Sequence, residues 1–100
     1  MAQILAVGIA TLDIINTVAA YPSEDSEVRA EAQRIARGGN ATNTLVVLSQ
    51  LGHACAWAGV LVDEPDARPI LQELDRYRID YTPCRRLTRG KMPTSYILLS

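Results

Sequence analysis

The chain has 100 residues, 48% of them hydrophobic, and a formal net charge of −1. This length allows at most one domain, and the hydrophobic content is typical of a packed core rather than of a disordered chain. A charge so close to zero gives no steering toward nucleic acid or an anionic membrane. No apolar run approaches the roughly 20 residues that a membrane-spanning helix needs. We therefore expect a folded domain with neither nucleic-acid nor membrane partners.

The two cysteines, Cys55 and Cys84, are far apart and lack the spacing of a metal or redox site. Reduced thiols are typical of proteins from a reducing compartment. The chain begins MAQIL, which lacks the basic segment and apolar run of a secretory signal. These features predict a cytoplasmic protein with two free thiols.

In chain order, residues 4–7 form an apolar run typical of a central strand covered on both faces. Residues 12–18 are rich in β-forming types, and a turn follows at residues 21–23. Residues 26–37 are ambiguous. Their alternation of polar and apolar residues favours a strand, whereas their alanine, glutamate and arginine content favours a helix by a small margin.

The helical pattern of residues 40–51 places Asn40 as a possible N-cap and Gly52 as a C-terminal stop. Residues 54–58 then form a second apolar run typical of a buried strand.

The last third of the chain predicts a helix that begins at Asp66, a short strand over residues 81–84 and a buried strand over residues 95–99. The resulting order of strands and helices indicates an α/β fold with a mostly parallel sheet. Because an uncapped apolar strand leaves an exposed pairing edge, we expect the sequence to be the N-terminal portion of a longer domain.

The segment RGGNATN at residues 37–43 is the strongest candidate for a binding motif. Asn40 and Asn43 lie three residues apart, so their carboxamides share one face of the first helical turn. Gly39 lets a ligand approach the backbone, and the helix N-terminus offers free N–H groups. This combination suits a ligand rich in hydroxyls, although Asn40 could equally be only a cap.

Asp13 is a carboxylate among apolar neighbours, a few residues after Gly8. Such a group needs donors, because burying an unpartnered carboxylate is costly. Two interpretations remain open from the residues alone. Asp13 could be a capping or ion-paired aspartate, or it could accept hydrogen bonds from two sugar hydroxyls at the carboxyl end of the first strand.

Together, Gly8 with Asp13 after the first strand, residues 38–43 and residues 51–52 resemble the ribokinase-like (pfkB-type) carbohydrate kinases. Within that family, residues 21–29 and the lead into the glycine pair are similar to the insert of the ketohexokinases. The resemblance implies an ATP-dependent sugar kinase that transfers the γ-phosphoryl group of ATP, with Mg²⁺ on the nucleotide, to a hydroxyl of a ketohexose such as fructose.

The resemblance also assigns roles to individual residues. Those that match the family's sugar-binding positions are Asp13, Gly39, Asn40 and Asn43. The catalytic base and the ATP pocket of such kinases lie in a segment beyond residue 100, so residues 1–100 alone should not be catalytic. The alternatives are a ribokinase, an adenosine kinase or another sugar kinase, or a non-catalytic module for sugar binding or dimerisation.

In this family the residues that match 14–37 form the strands of a small lid over the sugar. Ketohexokinase-like dimers clasp two such lids together, and an acidic residue that matches Asp25 reaches the partner's active site. The resemblance therefore implies a homodimer through this β-clasp, and it predicts that residues 26–37 are mainly strand.

Overall fold

The computed structural model describes residues 1–100 and contains seven strands and two helices. The strands are β1 (Gln3–Val7), β2 (Thr11–Thr17), β3 (Ala32–Gly38), β4 (Ala54–Ala58), β5 (Val60–Val62), β6 (Arg85–Leu87) and β7 (Thr94–Leu99), and the helices are α1 (Asn40–Gln50) and α2 (Ala67–Arg76). Neither helix is long and apolar enough to cross a membrane.

Parallel pairing dominates the sheets, as the sequence predicts. β1 pairs with β4, β5 with β6, and β2 with β7, all in parallel. Only β2 and β3 run antiparallel. Because parallel neighbours need a crossover between them, α1 lies on the connection that brings the chain from β3 to β4. The α/β class is confirmed.

The core collects side chains from both helices and from β2, β4 and β5. Its largest fully buried side chains include Trp57 from β4, Leu45 from α1, and Ile70 and Leu74 from α2. The indole Nε1–H of Trp57 donates to the carbonyl of Gly8 at 2.9 Å. This bond ties the end of β1 to its neighbouring strand at the point where the chain turns toward β2.

The expectation that residues 4–7 are covered on both faces is wrong for this chain. Leu5 and Val7 are 59% and 76% exposed, whereas Ile4 and Ala6 pack against the core. Successive side chains of a strand point to opposite faces, so one face of β1 is open to solvent.

The second sheet has the strand order β3-β2-β7 and contains most of the segment that resembles a lid. Strand structure is confirmed for residues 32–37 but is wrong for residues 26–31, which are exposed and belong to no helix or strand. The helix that the residue composition favours by a small margin over residues 26–37 is also absent. Cross-strand pairing with β2 determines the conformation of β3, and a single stretch of sequence does not contain that information.

Two further expectations fail near the end of the chain. Residues 81–84 form a turn closed by the Cys84 N–H donating to the Tyr81 carbonyl at 3.0 Å, and the short strand begins only at Arg85. The strand over residues 95–99 exists, but it is not buried. Tyr96 is 76% exposed because β7 lies at the edge of the three-stranded sheet rather than in the core.

Candidate functional site

Asp13 lies on β2 with its side chain partly buried, directly opposite Ala36 of β3 and Ser95 of β7. Thr11 Oγ1 donates a hydrogen bond to Asp13 Oδ1 at 2.8 Å. No other side chain or backbone group donates to this carboxylate, and no cation pairs with it. The second oxygen, Oδ2, is therefore free to accept a hydrogen bond from a ligand.

Gly38 makes room for that carboxylate. A Cβ at this position would lie 2.3 Å from Asp13 Oδ2 and 2.5 Å from Thr11 Oγ1. Both distances are far inside van der Waals contact, so only glycine leaves the carboxylate in place. From the sequence alone, the glycine pair predicts either a turn or a backbone segment that a ligand can approach closely. The support that Gly38 gives to Asp13 follows only from the pairing of β2 with β3.

Gly39 is the N-cap of α1, with φ 104°, a conformation that favours glycine. A Cβ here would lie 2.3 Å from the carbonyl oxygen of Ile9, so the helix start packs directly on the loop after β1. The prediction that Asn40 is the N-cap is wrong. Asn40 is the first helical residue, and its side chain makes no cap hydrogen bond. Its carboxamide is exposed and free for a ligand.

Asn43 lies one turn further along α1 and is exposed. Its Oδ1 accepts a hydrogen bond from Arg37 Nη1 at 2.9 Å. No hydrogen bond joins Asn43 to Asn40 or to Asp13. The structure therefore brings Asp13 against the glycine pair and the two asparagines onto the first turns of α1, and it does not link the three side chains directly.

Thr11, Ser95 and Arg37 are neighbours of the site that the sequence does not single out. Ser95 becomes a neighbour of Asp13 through the parallel pairing of β2 with β7, across more than 80 residues of sequence, so no local signal could identify it. Arg37 directly precedes the glycine pair, and that position is its only sequence signal, because its burial is visible only in the fold.

Asp25 lies elsewhere, in the exposed loop between β2 and β3. The loop turns tightly there, with Ser26 Oγ donating to the Ser23 carbonyl at 2.6 Å. Asp25 itself has φ 57°, which aspartate tolerates better than most residues. It makes no hydrogen bond or ion pair within the chain, so its carboxylate is free.

No closed cavity surrounds these residues. Asp13, Asn40 and Asn43 line none of the four surface hollows of the chain. One hollow of about 200 Å³ includes Ile9 and Ala10, the backbone on which Gly39 packs. The residues also contain no group of three or more His, Cys, Asp or Glu that could hold a metal ion. What the chain presents is an open, polar surface at the end of β1 and the start of α1.

Comparison with known proteins agrees with this arrangement. The profile of the pfkB family of carbohydrate kinases matches residues 1–100. The chain belongs to this family. It is 39% identical over 98 residues to the ketohexokinase of Mus musculus, an alignment that covers 98% of the chain and 33% of the mouse enzyme.

Solved structures show the same fold at lower identity. The nucleoside kinase of Methanocaldococcus jannaschii, an archaeal member of the ribokinase family, superposes with a TM-score of 0.82 at 22% identity, covering 98% of the chain and 33% of that protein. The ribokinase of Cryptococcus neoformans var. grubii, in complex with ADP, gives 0.78 at 12% identity, covering 98% and 30%. The fold is therefore ribokinase-like, and the chain spans about a third of the length of these relatives.

Proposed function

We propose that the full-length protein is a ketohexokinase-like sugar kinase, which transfers the γ-phosphoryl group of ATP to a hydroxyl of a ketohexose such as fructose. The observation that carries the proposal is the identity of 39% to mouse ketohexokinase, far above that to the ribokinase-family structures. The free carboxylate of Asp13 beside a glycine pair and a helix N-terminus is the chemistry that such an acceptor needs.

Asp13 anchors the sugar in this proposal. Thr11 holds Oδ1, and Oδ2 has no donor from the protein, so a hydroxyl of the sugar supplies one. An ionised carboxylate has about four lone-pair sites, which lets it accept from two adjacent hydroxyls at once. Hydrogen bonds to a charged acceptor are roughly twice as strong as neutral ones, so this residue should dominate sugar affinity.

The start of α1 forms hydrogen bonds with the neighbouring hydroxyls of the sugar. Gly39 lets the helix begin against the carbonyl of Ile9, and the first N–H groups of the helix have no partner within it. Asn40 projects a carboxamide that makes no hydrogen bond to the protein, so it can both donate to and accept from the sugar. Asn43 adds a second carboxamide on the same face.

ATP and Mg²⁺ belong to the same proposal, and residues 1–100 do not supply their site. The chain has neither a phosphate-binding glycine loop nor a carboxylate cluster for a metal ion. Phosphoryl transfer depends mainly on positioning and on stabilising charge at the phosphates. The residues described here position the acceptor hydroxyl, and we assign the nucleotide site and the catalytic base to the part of the kinase beyond residue 100.

We also propose a homodimer through the β3-β2-β7 sheet. Ile14 lies opposite Ile35 on one side and Tyr96 on the other, so these side chains share one face of the sheet. Ile35 and Tyr96 are 52% and 76% exposed, an apolar surface that a second lid would cover. In such a clasp the free carboxylate of Asp25 would reach the partner's sugar site.

The acceptor is tested by measuring ADP release from Mg-ATP by the full-length protein, with fructose, ribose, adenosine or no acceptor. Turnover selective for fructose supports the ketohexokinase assignment. Turnover selective for ribose or adenosine keeps the kinase and favours the second candidate, a ribokinase or nucleoside kinase, whose fold the solved relatives share. If no acceptor raises ADP release above the blank, a non-catalytic sugar-binding module becomes the better account.

A further inference from the structure

Arg37 is the most deeply buried charged side chain of the chain, and it joins three elements near the proposed sugar site. It lies at the end of β3 with 5% of its side chain exposed. Nη1 donates to Thr42 Oγ1 at 2.6 Å and to Asn43 Oδ1 at 2.9 Å, both on α1. Nη2 pairs with Glu73 Oε1 of α2 at 3.1 Å. The guanidinium of Arg37 therefore connects β3 to α1 and α2.

This contact decides which end of the Asn43 amide faces the ligand. A guanidinium carries only donors, so the atom of Asn43 that meets it must be the carbonyl oxygen. The opposite orientation would place two donors against each other. The Nδ2 group therefore points away from Arg37, and Asn43 can only offer donors from its free end.

We propose that Arg37 is a positioning residue that holds Asn43 so that its Nδ2 donates to a hydroxyl oxygen of the acceptor sugar. The inference rests on the proposed function and refines it. Asp13 accepts hydrogen bonds from the hydroxyls of the sugar, and Asn43 donates a hydrogen bond to a hydroxyl oxygen. A site with one hydrogen-bond acceptor and one donor orients a polyol more strictly than a site with two acceptors. The acceptor requires a hydroxyl that points its O–H bond toward it, and the donor requires a hydroxyl oxygen that faces it.

Glu73 and Thr42 keep the guanidinium in place. The carboxylate of Glu73 pairs with Nη2, and Thr42 Oγ1 accepts from Nη1 while it donates to the Gly38 carbonyl at 2.9 Å. The same network thus fixes the glycine that leaves room for Asp13. Arg37 also donates to the Gly38 carbonyl at 3.4 Å, but Asn43 is the only proposed sugar-contacting side chain that it touches. Most of its effect on sugar binding should therefore pass through Asn43.

The first test replaces Asn43 by aspartate in the full-length protein, with fructose affinity measured by calorimetry. Asn43→Asp keeps an oxygen for Arg37 and adds a charge pair, so Tm should stay the same or rise. Its free end can no longer donate, so the Kd for fructose should rise about tenfold or more. Wild-type affinity in this variant would overturn the donor assignment. Thr44→Ala, on the same exposed turn with only a bond to the Asn40 carbonyl, is the matched control and should leave both values unchanged.

The second test is a double-mutant cycle between Arg37→Lys and Asn43→Ala. A lysine keeps the charge opposite Glu73 but lacks the planar fork that reaches α1 and α2 together. We expect Arg37→Lys to raise the fructose Kd about tenfold when Asn43 is present and less than twofold when it is alanine. Multiplicative effects would mean that Arg37 acts on fructose binding independently of Asn43, and an unchanged Kd in Arg37→Lys would mean that Arg37 only stabilises the fold. Either result would overturn the inference.

The two tests separate this inference from the function on which it rests. If the wild type binds neither fructose nor another acceptor, the proposed function fails, and the inference fails with it. If the wild type binds fructose and the two substitutions have multiplicative effects on the Kd, only the proposed role of Arg37 fails. Should Arg37→Lys not fold, Asn43→Asp still tests the donor assignment on which the inference depends, because that variant retains the contact with the guanidinium.

Discussion

At the residue scale, the central element of the proposed site is a carboxylate that the fold leaves partly unpartnered. Asp13 receives one hydrogen bond, from Thr11, and no cation. We expect Asp13→Ala in the full-length kinase to lower kcat/KM for the sugar by the equivalent of about 2–4 kcal/mol, since a charged partner is lost from the acceptor's hydroxyls. Steady-state kinetics with varied sugar measures this. Gln50→Ala, at the exposed end of α1, is the control.

Gly38 provides a second prediction at this scale. Gly38→Ala places a methyl group on the Asp13 carboxylate and on Thr11, so the carboxylate must move. We expect a cost of about 1–3 kcal/mol in unfolding free energy from overpacking, together with a raised KM for the sugar. Gly52→Ala is matched in chemistry, because its Cβ meets nothing within 4 Å although its φ is +93°. The Gly52→Ala variant should have a lower unfolding free energy, measured by urea unfolding, and an unchanged KM for the sugar, measured by steady-state kinetics. An unchanged sugar KM in Gly38→Ala would count against the placement of Asp13.

The sequence points to the glycine and asparagine pairs because these residue types have strong local chemistry, and their binding of a sugar stays a prediction. The prediction of the N-cap of α1 is wrong. The sequence favours Asn40 at this position, whereas the close contact between the helix start and Ile9 requires a glycine, Gly39, there. Ser95 could not be predicted at all, since its place beside Asp13 depends on a pairing between distant strands.

At the scale of elements, the helices and most strands follow their local patterns, whereas residues 26–38, which include β3, do not. α1 and β4 occupy almost the predicted ranges. β3 has helix-favouring residues and is still a strand, because its ladder with β2 supplies hydrogen bonds that outweigh propensity. The exposed residues 26–31 have no such partner, apart from the Glu31 N–H that donates to the Thr17 carbonyl, and they remain irregular.

The link between β1 and β4 gives a testable claim about elements. Trp57 is fully buried, and its indole donates to the Gly8 carbonyl at the turn that leads to Asp13. Trp57→Phe removes the donor and shrinks the core, so we expect the unfolding free energy to fall by about 1–3 kcal/mol. Urea unfolding of the full-length protein checks this. A stability equal to the wild type would show that the carbonyl finds another donor.

Acid titration tests the turn that follows α2. Thr82 N–H donates to Asp80 Oδ1 at 2.9 Å, and this hydrogen bonding lowers the pKa of Asp80. A lowered carboxyl pKa stabilises the fold above the pKa of the unfolded chain, and the gain disappears as the pH falls through the folded value. Wild type should therefore be more stable than Asp80→Asn at about pH 7 and lose that advantage as the pH falls below the ordinary range of an aspartate pKa. A stability difference that does not change with pH would contradict this assignment.

At the scale of the whole molecule, the exposed apolar face of the β3-β2-β7 sheet should mediate self-association. We expect Tyr96→Lys or Ile35→Lys to convert a dimer of the full-length protein to a monomer, because each places a charge in the buried centre of the clasp. Light scattering after size-exclusion chromatography measures the mass. Gln50→Lys, at the exposed end of α1, is the control and should leave the dimer intact. A wild-type monomer, or dimeric lysine variants, would contradict the clasp.

The most direct measurement of the whole account is a crystal structure of the full-length protein with fructose bound. We predict that two adjacent hydroxyls of the sugar lie within hydrogen-bond distance of the Asp13 carboxylate, about 2.5–3.0 Å. The carboxamides of Asn40 and Asn43 should contact its other hydroxyls. Fructose bound at another surface, with Asp13 solvated or paired to a cation from the rest of the protein, would contradict the assignment of this site.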